Sequence, residues 1–298
     1  MTYKISHILE YALLRVLSGV VNLLPHKGAL LLGWAAAAIS FPLLKSKMRR
    51  TQVRIKQVFG ARYSDREVRE ISRRAWRTFM FNMVESMRTP RVTLPWIKKV
   101  VDLTDVPMAF DNMKDGKGLI LAVPHMGNWE LAGIATQMLG LRLMLIVRRQ
   151  KNPLLDAYLT RLREYTGVEA FAREGKSFAG LVHKLKEGKV LAILPDLRAK
   201  GNALPVHFMG ATASIAGGMA LFAREAGVPI LPACTIRTSW ARHSWKGRPP
   251  IYPDYSLDKD ADILRMTQYV MTHFDDMIAT YPDQYFWFNS RWILGDDR

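Results

Sequence analysis

From residue 118 onward the chain alternates short, continuously apolar runs with segments whose apolar residues recur at helical spacing. The runs GLILAVP (118–124), LRLMLIV (141–147), VEAFA (168–172), KVLAILP (189–195) and VPILPACTIR (228–237) predict strands. Between them, WELAGIATQML, NPLLDAYLTRLREYTG, KSFAGLVHKLKEG and SIAGGMALFAREAG predict helices. Strands without polar alternation suit a sheet covered on both faces. Strand, helix, strand in series argues for an α/β fold with a largely parallel central sheet flanked by helices. Gly167, Gly188 and Gly227 each close a helical pattern before an apolar run, the place of a left-handed cap residue. Further on, Ile263, Met266, Val270, Phe274 and Met277 fall on one helical stripe, followed by the aromatic tail YFWFNSRW.

The N-terminal pattern differs. Gly28 to Leu44, GALLLGWAAAAISFPLL, carries no charge for 17 residues and follows another apolar stretch, VLSGVVNLLP. That length is at the lower edge of the roughly 17–25 residues of a spanning helix. The run lacks the early charge and small-residue cleavage site of a secretory signal. The next segment, KSKMRRTQVRIKQVFGARYSDREVREISRRAWR, holds 12 basic and 3 acidic residues, which suits a negatively charged cytoplasmic leaflet. The pattern predicts a membrane-anchoring helix within residues 1–50, spanning or lying in the interface, and a cytosolic domain over 51–298. An alanine-rich core helix followed by a solvated basic helix is the competing reading.

Composition adds an anionic partner. Across 298 residues, 43 Lys and Arg against 26 Asp and Glu leave a net charge of +17. Such an excess suits an anionic membrane, an acidic protein or nucleic acid, and no nucleic-acid module signature accompanies it. The single cysteine, Cys234, excludes an intramolecular disulfide and lies in an apolar run as a buried thiol.

Several common sites are absent from the sequence. No G-x-S-x-G elbow occurs. AFAREGKS (170–177) ends like a phosphate-binding loop but has Ala170 where the first glycine must stand, and reads as a helix start. DGKGLIL (115–121) has two glycines of a dinucleotide fingerprint but precedes its strand. No HExxH and no cysteine–histidine cluster supports a metal site.

What remains is HMGNWE, with His125 after the strand LILAV and Pro124, and Trp129 opening a helix. The carboxyl end of a strand in an open α/β sheet is where ligands bind. On an unbroken helix, residues five apart diverge by about 140°, so His125 and Glu130 meet only if the chain turns between them. Gly127 permits that turn, Asn128 is a good N-cap, and Glu130 falls in the first helical turn. A carboxylate holding the imidazole would fix its tautomer and raise its basicity, as a general base needs. The spacing alone leaves open a catalytic pair and a plain polar turn.

These residues resemble the bacterial lipid A biosynthesis acyltransferases, the lauroyl and myristoyl transferases of the lysophospholipid acyltransferase-like superfamily. The family's H-x-x-x-x-D/E motif, commonly H-F-G-N-W-E, reads PHMGNWE here. VRRQKNPLLD is similar to its Arg-Pro-x-x-Asn-Pro-x-Leu-Asp stretch and aligns Arg148. LAILPDLRAKGNALPVHFMG is similar to its Asp-Gln and Val-Pro-Phe-Phe-Gly segments and aligns Asp196, and PDQYFWFNSRW resembles its closing motif. Leu197, His207 and Asn289-Ser290 depart from the family's usual residues at their places.

The resemblance implies a glycerol-3-phosphate acyltransferase-like fold and an O-acyltransferase at the cytoplasmic face of the bacterial inner membrane. It implies an acyl-carrier-protein thioester as donor and a lipid A precursor of the Kdo-lipid IVA kind as acceptor, with no metal and no cofactor beyond the acyl co-substrate. His125 would be the general base, oriented by Glu130. Gly127, Asn128, Arg148 and Asp196 would bind substrate, with backbone N–H groups near Gly127 or the Arg148 guanidinium facing the oxyanion. Asp196 would line the cleft or brace its loop. Acylation of another lysolipid or glycolipid, from acyl-CoA, is the alternative, and a non-catalytic membrane-surface binding protein is the remote one. His183 and His273 are expected to be solvated, and Trp287, Arg291 and Trp292 to pack on the core.

Overall fold

The computed structural model describes residues 3–172, 178–199, 201 and 203–295, so the helix start expected at Lys176 and Ser177 lies outside the described residues. The chain opens with α1 (Ile5–Leu23), α2 (His26–Leu43), α3 (Lys45–Phe59), α4 (Asp65–Met87) and α5 (Leu94–Val100). After β1 (Val101–Asp102) and the short α6 (Pro107–Asp111) comes the alternating part: β2 (Ile120–Ala122), α7 (Trp129–Met138), β3 (Leu143–Val147), α8 (Pro153–Tyr165), β4 (Glu169–Ala172), α9 (Phe178–Lys186) and β5 (Val190–Ile193). A hairpin of β6 (Leu204–Phe208) and β7 (Ala211–Ile215) precedes α10 (Gly218–Ala226), β8 (Ile230–Ser239), β9 (Arg242–Gly247) and α11 (Lys259–Thr280).

The main sheet runs β1-β9-β8-β2-β5-β3-β4, and every pairing in it is parallel except β8 with β9. The five apolar runs read as strands are β2, β3, β4, β5 and β8. Their lack of alternation has a direct cause in β2, which is buried on both faces. Ile120 and Ala122 pack in a core with Ala220, Met266, Val270 and Phe274 of α10 and α11. Leu119, Leu121 and Val123 pack in a second core with Ile97 of α5 and Leu131 and Ala135 of α7. The stripe on α11 is buried as expected, with Met266, Val270 and Phe274 wholly covered. Gly167, Gly188 and Gly227 all have positive φ.

Two features depart from the pattern. Ser214 and Ile215, expected to open a helix, instead end β7 and pair with Pro205 and Leu204. Every second residue of that strand is buried, so its period of two fits a hairpin lying on the core. The apolar N-terminal region is not one helix but two, separated at Leu24–Pro25, and α2 meets α3 at a 91° bend. Among the described residues no single helix is long and apolar enough to cross a membrane. Ala29, Leu30, Gly33 and Ala37 bury one face of α2, and at Gly33 an added Cβ would stand 3.0 Å from Val84 of α4. Residue 50 falls inside α3, and that basic helix is not wholly solvated, because Arg54 is buried and donates to the carbonyls of Trp287 and Asn289 at 2.6 and 2.8 Å.

Candidate active site

β2 and β5 are adjacent and parallel, with Ala122 opposite Ile193. Three residues beyond each partner, past Pro124 and Pro195, stand His125 and Asp196. Equal offsets from a parallel register place the two side chains together at the carboxyl edge of the sheet. Asp196 Oδ1 lies 2.7 Å from His125 Nδ1, and Oδ2 accepts the His125 backbone N–H at 2.8 Å. The Asp196 side chain is wholly buried, whereas that of His125 keeps 18% of its surface exposed.

The loop after His125 is held from three sides. Phe286 N–H donates to His125 C=O at 2.8 Å, and Gly127 N–H donates to Gln284 C=O at 2.9 Å. Asn128 N–H reaches Thr235 C=O of β8 at 3.2 Å, and the Asn82 amide of α4 donates to Gly127 C=O. Gly127 has φ +54°, and a Cβ there would sit 1.5 Å from the Thr235 oxygen, so both conformation and space require glycine. Asn128 caps α7 by accepting the Leu131 N–H at 3.0 Å, and Glu130 lies in the first turn.

The expected turn therefore forms, but the carboxylate bonded to the ring is that of Asp196. Among the described residues Glu130 makes no hydrogen bond to His125. It acts through space: burial pulls the His125 pKa down, while the charge and hydrogen bond of Asp196 and the charge of Glu130 outweigh that pull and leave it raised above 6.5. Burial, together with the charge of the nearby Asp196 carboxylate, pushes the Tyr285 phenol well above its ordinary range. Around the ring stand Trp129, at 5.4 Å between centroids, and Phe286, at 6.3 Å.

A His–Asp pair thus stands at the carboxyl edge of a parallel sheet, each residue preceded by a proline. The model of the bacterial lipid A biosynthesis acyltransferases matches residues 3–293. The chain belongs to that family. It is 26% identical to a phosphatidylinositol mannoside acyltransferase of Mycolicibacterium smegmatis, over 72% of this chain and 70% of that one. It is 26% identical to a protein of the same name from Mycobacterium tuberculosis, over 60% of this chain and 55% of the relative. A lipid A biosynthesis acyltransferase of Haemophilus influenzae is 24% identical over 58% of this chain and 53% of that one. The matched stretch thus spans little more than half the length of the latter two. The protein is an acyltransferase.

The other residues singled out in this acyltransferase divide by what they touch. Asn128 is buried, and its amide donates to Glu85 Oε2 at 2.6 Å, so both ends of the side chain serve the turn. Glu85 also accepts from Arg237 at 2.6 Å and contacts His26 at 3.0 Å and His243 at 3.2 Å. The N–H groups of Met126, Gly127 and Asn128 already donate to Pro124, Gln284 and Thr235, which removes them as oxyanion donors. Among the described residues the N–H groups of Trp129 and Glu130 have no acceptor. Arg148 is exposed just past the end of β3 and touches neither His125 nor Asp196.

Sequence reasoning overlooked Glu85, Tyr285 and Asp196 as the ring's partner. The parallel spellings AVPH and ILPD carried a signal for the last, since each is an apolar strand closed by proline and a polar residue. His183 is exposed as expected, whereas His273 is half-buried and packs edge-on against Tyr269. His207 is exposed on β6. Cys234 is buried, and burial pushes its thiol up to about 12. Trp287 and Trp292 pack in the core.

Proposed function

We propose that this acyltransferase moves a fatty acyl chain from a carrier thioester to a hydroxyl of a glycolipid at a membrane surface, with His125 as general base. The bond from His125 Nδ1 to Asp196 carries the reading. A carboxylate accepting from Nδ1–H leaves Nε2 as the unprotonated nitrogen. The acceptor hydroxyl gives its proton to Nε2 while its oxygen attacks the thioester carbon. The tetrahedral intermediate then collapses, the C–S bond breaks, and the thiolate takes the proton from the imidazolium. Asp196 orients the ring and, with Glu130, stabilises its charged form. The open N–H groups of Trp129 and Glu130 are suited to the oxyanion, and Arg148 is a second candidate there or for an acceptor phosphate.

The aromatic rings beside His125 support an acyl substrate. Phe286 stacks on Phe79 at 5.0 Å, and Phe79 stacks on Trp76 at 5.4 Å, an apolar series leading away from the base. Exposed apolar side chains on α1 and α2 support an interfacial anchor in residues 1–50, with the catalytic residues in 51–298 held at the cytoplasmic face of the inner membrane. The net charge of +17 suits an acidic acyl carrier protein as donor and an anionic lipid surface.

The PHMGNWE spelling favours a lipid A precursor as acceptor, while the names of the mycobacterial relatives favour a mannosylated phosphatidylinositol. Both offer sugar hydroxyls on an anionic lipid. The test incubates detergent-solubilised protein with acyl-carrier-protein or coenzyme A thioesters and each acceptor, and reads acylated lipid by mass spectrometry. Transfer that disappears in His125→Ala is expected. Transfer undiminished in that variant sinks the mechanism, and no transfer to either acceptor sinks the substrate class.

A further inference from the structure

We propose that a cavity beside the α1–α2 turn binds an oxyanion of the phosphate class. The cavity, about 210 Å³, is lined by His26, Glu85, Arg88, Arg91, Val92 and Trp96. That is far more than the ~15 Å³ that a single water needs.

The polar lining is almost entirely donors. Its single carboxylate, Glu85, is already occupied by the Arg237 guanidinium and the Asn128 amide, both at 2.6 Å, and by His26 at 3.0 Å. Arg237 balances its charge, which leaves Arg88 and Arg91 without a counter-ion among the described residues. Arg88 donates through Nη1 to the carbonyls of Val21 and Leu24, an arrangement that fixes the guanidinium at the cavity wall. Arg91 is exposed and forms no side-chain hydrogen bond or ion pair among the described residues. The Trp96 indole N–H likewise has no acceptor there, while its ring is fixed edge-on against His26 at 5.1 Å. Burial and the like charge of Arg91 outweigh the attraction of Glu85 and depress the Arg88 pKa.

Two guanidiniums and an indole N–H around one saturated acceptor select an oxyanion. A neutral sugar would need free acceptors as well as donors. The chemistry is common to a phospholipid headgroup and a soluble phosphate group. Leu23, 81% exposed beside the turn, puts an apolar surface next to the cavity and makes the headgroup one of the two sources to test. The site is separate from the acyl-transfer residues, although Glu85 is common to the cavity wall and to the support of Asn128.

The experiment uses the full chain in neutral detergent with 5-fluorotryptophan incorporated, the Trp96 fluorine resonance being assigned by Trp96→Phe. Inorganic phosphate, dihexanoyl phosphatidylglycerol and a neutral alkyl glucoside are titrated in turn. A saturable Trp96 shift with phosphate or phosphatidylglycerol, and none with the glucoside, is expected. Loss of one charge-assisted contact in Arg91→Gln should weaken it by about tenfold or more. Lys98→Gln, which removes a charge from the same helix as Trp96 without touching the cavity, should leave it unchanged. A response to inorganic phosphate identifies a soluble phosphate group as sufficient, and a response to phosphatidylglycerol alone identifies the headgroup. An unmoved resonance with both probes, or equal binding by Arg91→Gln and the parent, overturns the proposal.

Discussion

The Asp196 carboxylate grips His125 twice, through Oδ1 to ring Nδ1 at 2.7 Å and through Oδ2 to the backbone N–H at 2.8 Å. One side chain thereby fixes both the ring and the strand end that carries it. A single oxygen could not do both, which makes Asp196→Asn a sharper test than its small change in shape suggests.

The raised His125 pKa sets the sign of that test. A base works unprotonated, so kcat/KM falls as pH drops through the raised value. Asp196→Asn removes the negative charge and forces an amide donor against one of its two partners. Its acidic limb should move to lower pH while kcat falls by roughly 10²–10⁴. Glu130→Gln, which removes only a through-space charge, should shift the limb the same way by less and lose less rate. A pH–rate profile of both variants decides it, and acidic limbs that stay in place in both would show that neither carboxylate acts on the base.

Gly127 is predicted to tolerate no side chain. Its φ of +54° and the 1.5 Å approach of an added Cβ to the Thr235 carbonyl act together. Gly127→Ala must push the turn away from β8, break the Asn128 contact there and displace His125. A loss of about 2 kcal/mol or more in stability should accompany near-complete loss of activity. Denaturant unfolding alongside the transfer assay checks both, and an Ala variant with parental rate would mean that the turn is free to move.

The buried Glu85 supports the same turn from below. Burial alone would raise its pKa, but Arg237 and His243 outweigh it and hold the carboxyl well below 4.5. A depressed carboxylate contributes stability that is present above about pH 4.5 and lost as pH falls through its folded value. Glu85→Gln leaves Arg237 buried without its counter-charge and should cost about 3–5 kcal/mol near neutrality. The gap between the two unfolding curves should narrow as the pH is lowered. A constant gap across that range would assign the loss to packing instead of charge.

What the sequence disclosed follows from which forces are local. Strands such as β2 are buried on both faces, so every residue is apolar and the run is visible without a partner. The turn at Gly127 and the cap at Asn128 are likewise local, fixed by backbone freedom and a side chain reaching three residues ahead. The partner of His125 is 71 residues away and depends on β5 lying beside β2, a fact of strand order and not of spacing. Proximity in sequence therefore favoured Glu130. The Glu85 cluster was hidden for the same reason, since α2, α4, β8 and β9 each contribute to it and nothing in any one segment marks its residue as buried.

The two N-terminal helices offer a different kind of test, because part of their apolar surface is not covered by any described residue. Leu13 on α1 is 62% exposed, and Leu31 and Leu43 on α2 are 56% and 75% exposed. Each leucine buried in an interface contributes about 1.5–3 kcal/mol. The net charge of +17 adds attraction to anionic lipid, but that attraction fades when the Debye length shrinks to about 3 Å in 1 M salt. The protein should therefore float with phosphatidylethanolamine–phosphatidylglycerol vesicles in both low and high salt. A variant carrying Leu13→Glu, Leu31→Glu and Leu43→Glu should float in low salt only. These positions lie outside the buried face that packs on α4, so the variant should keep its unfolding midpoint and its rate on detergent-dispersed substrate. If it still floats in high salt, the apolar faces of α1 and α2 do not hold the enzyme to the bilayer, and another surface must.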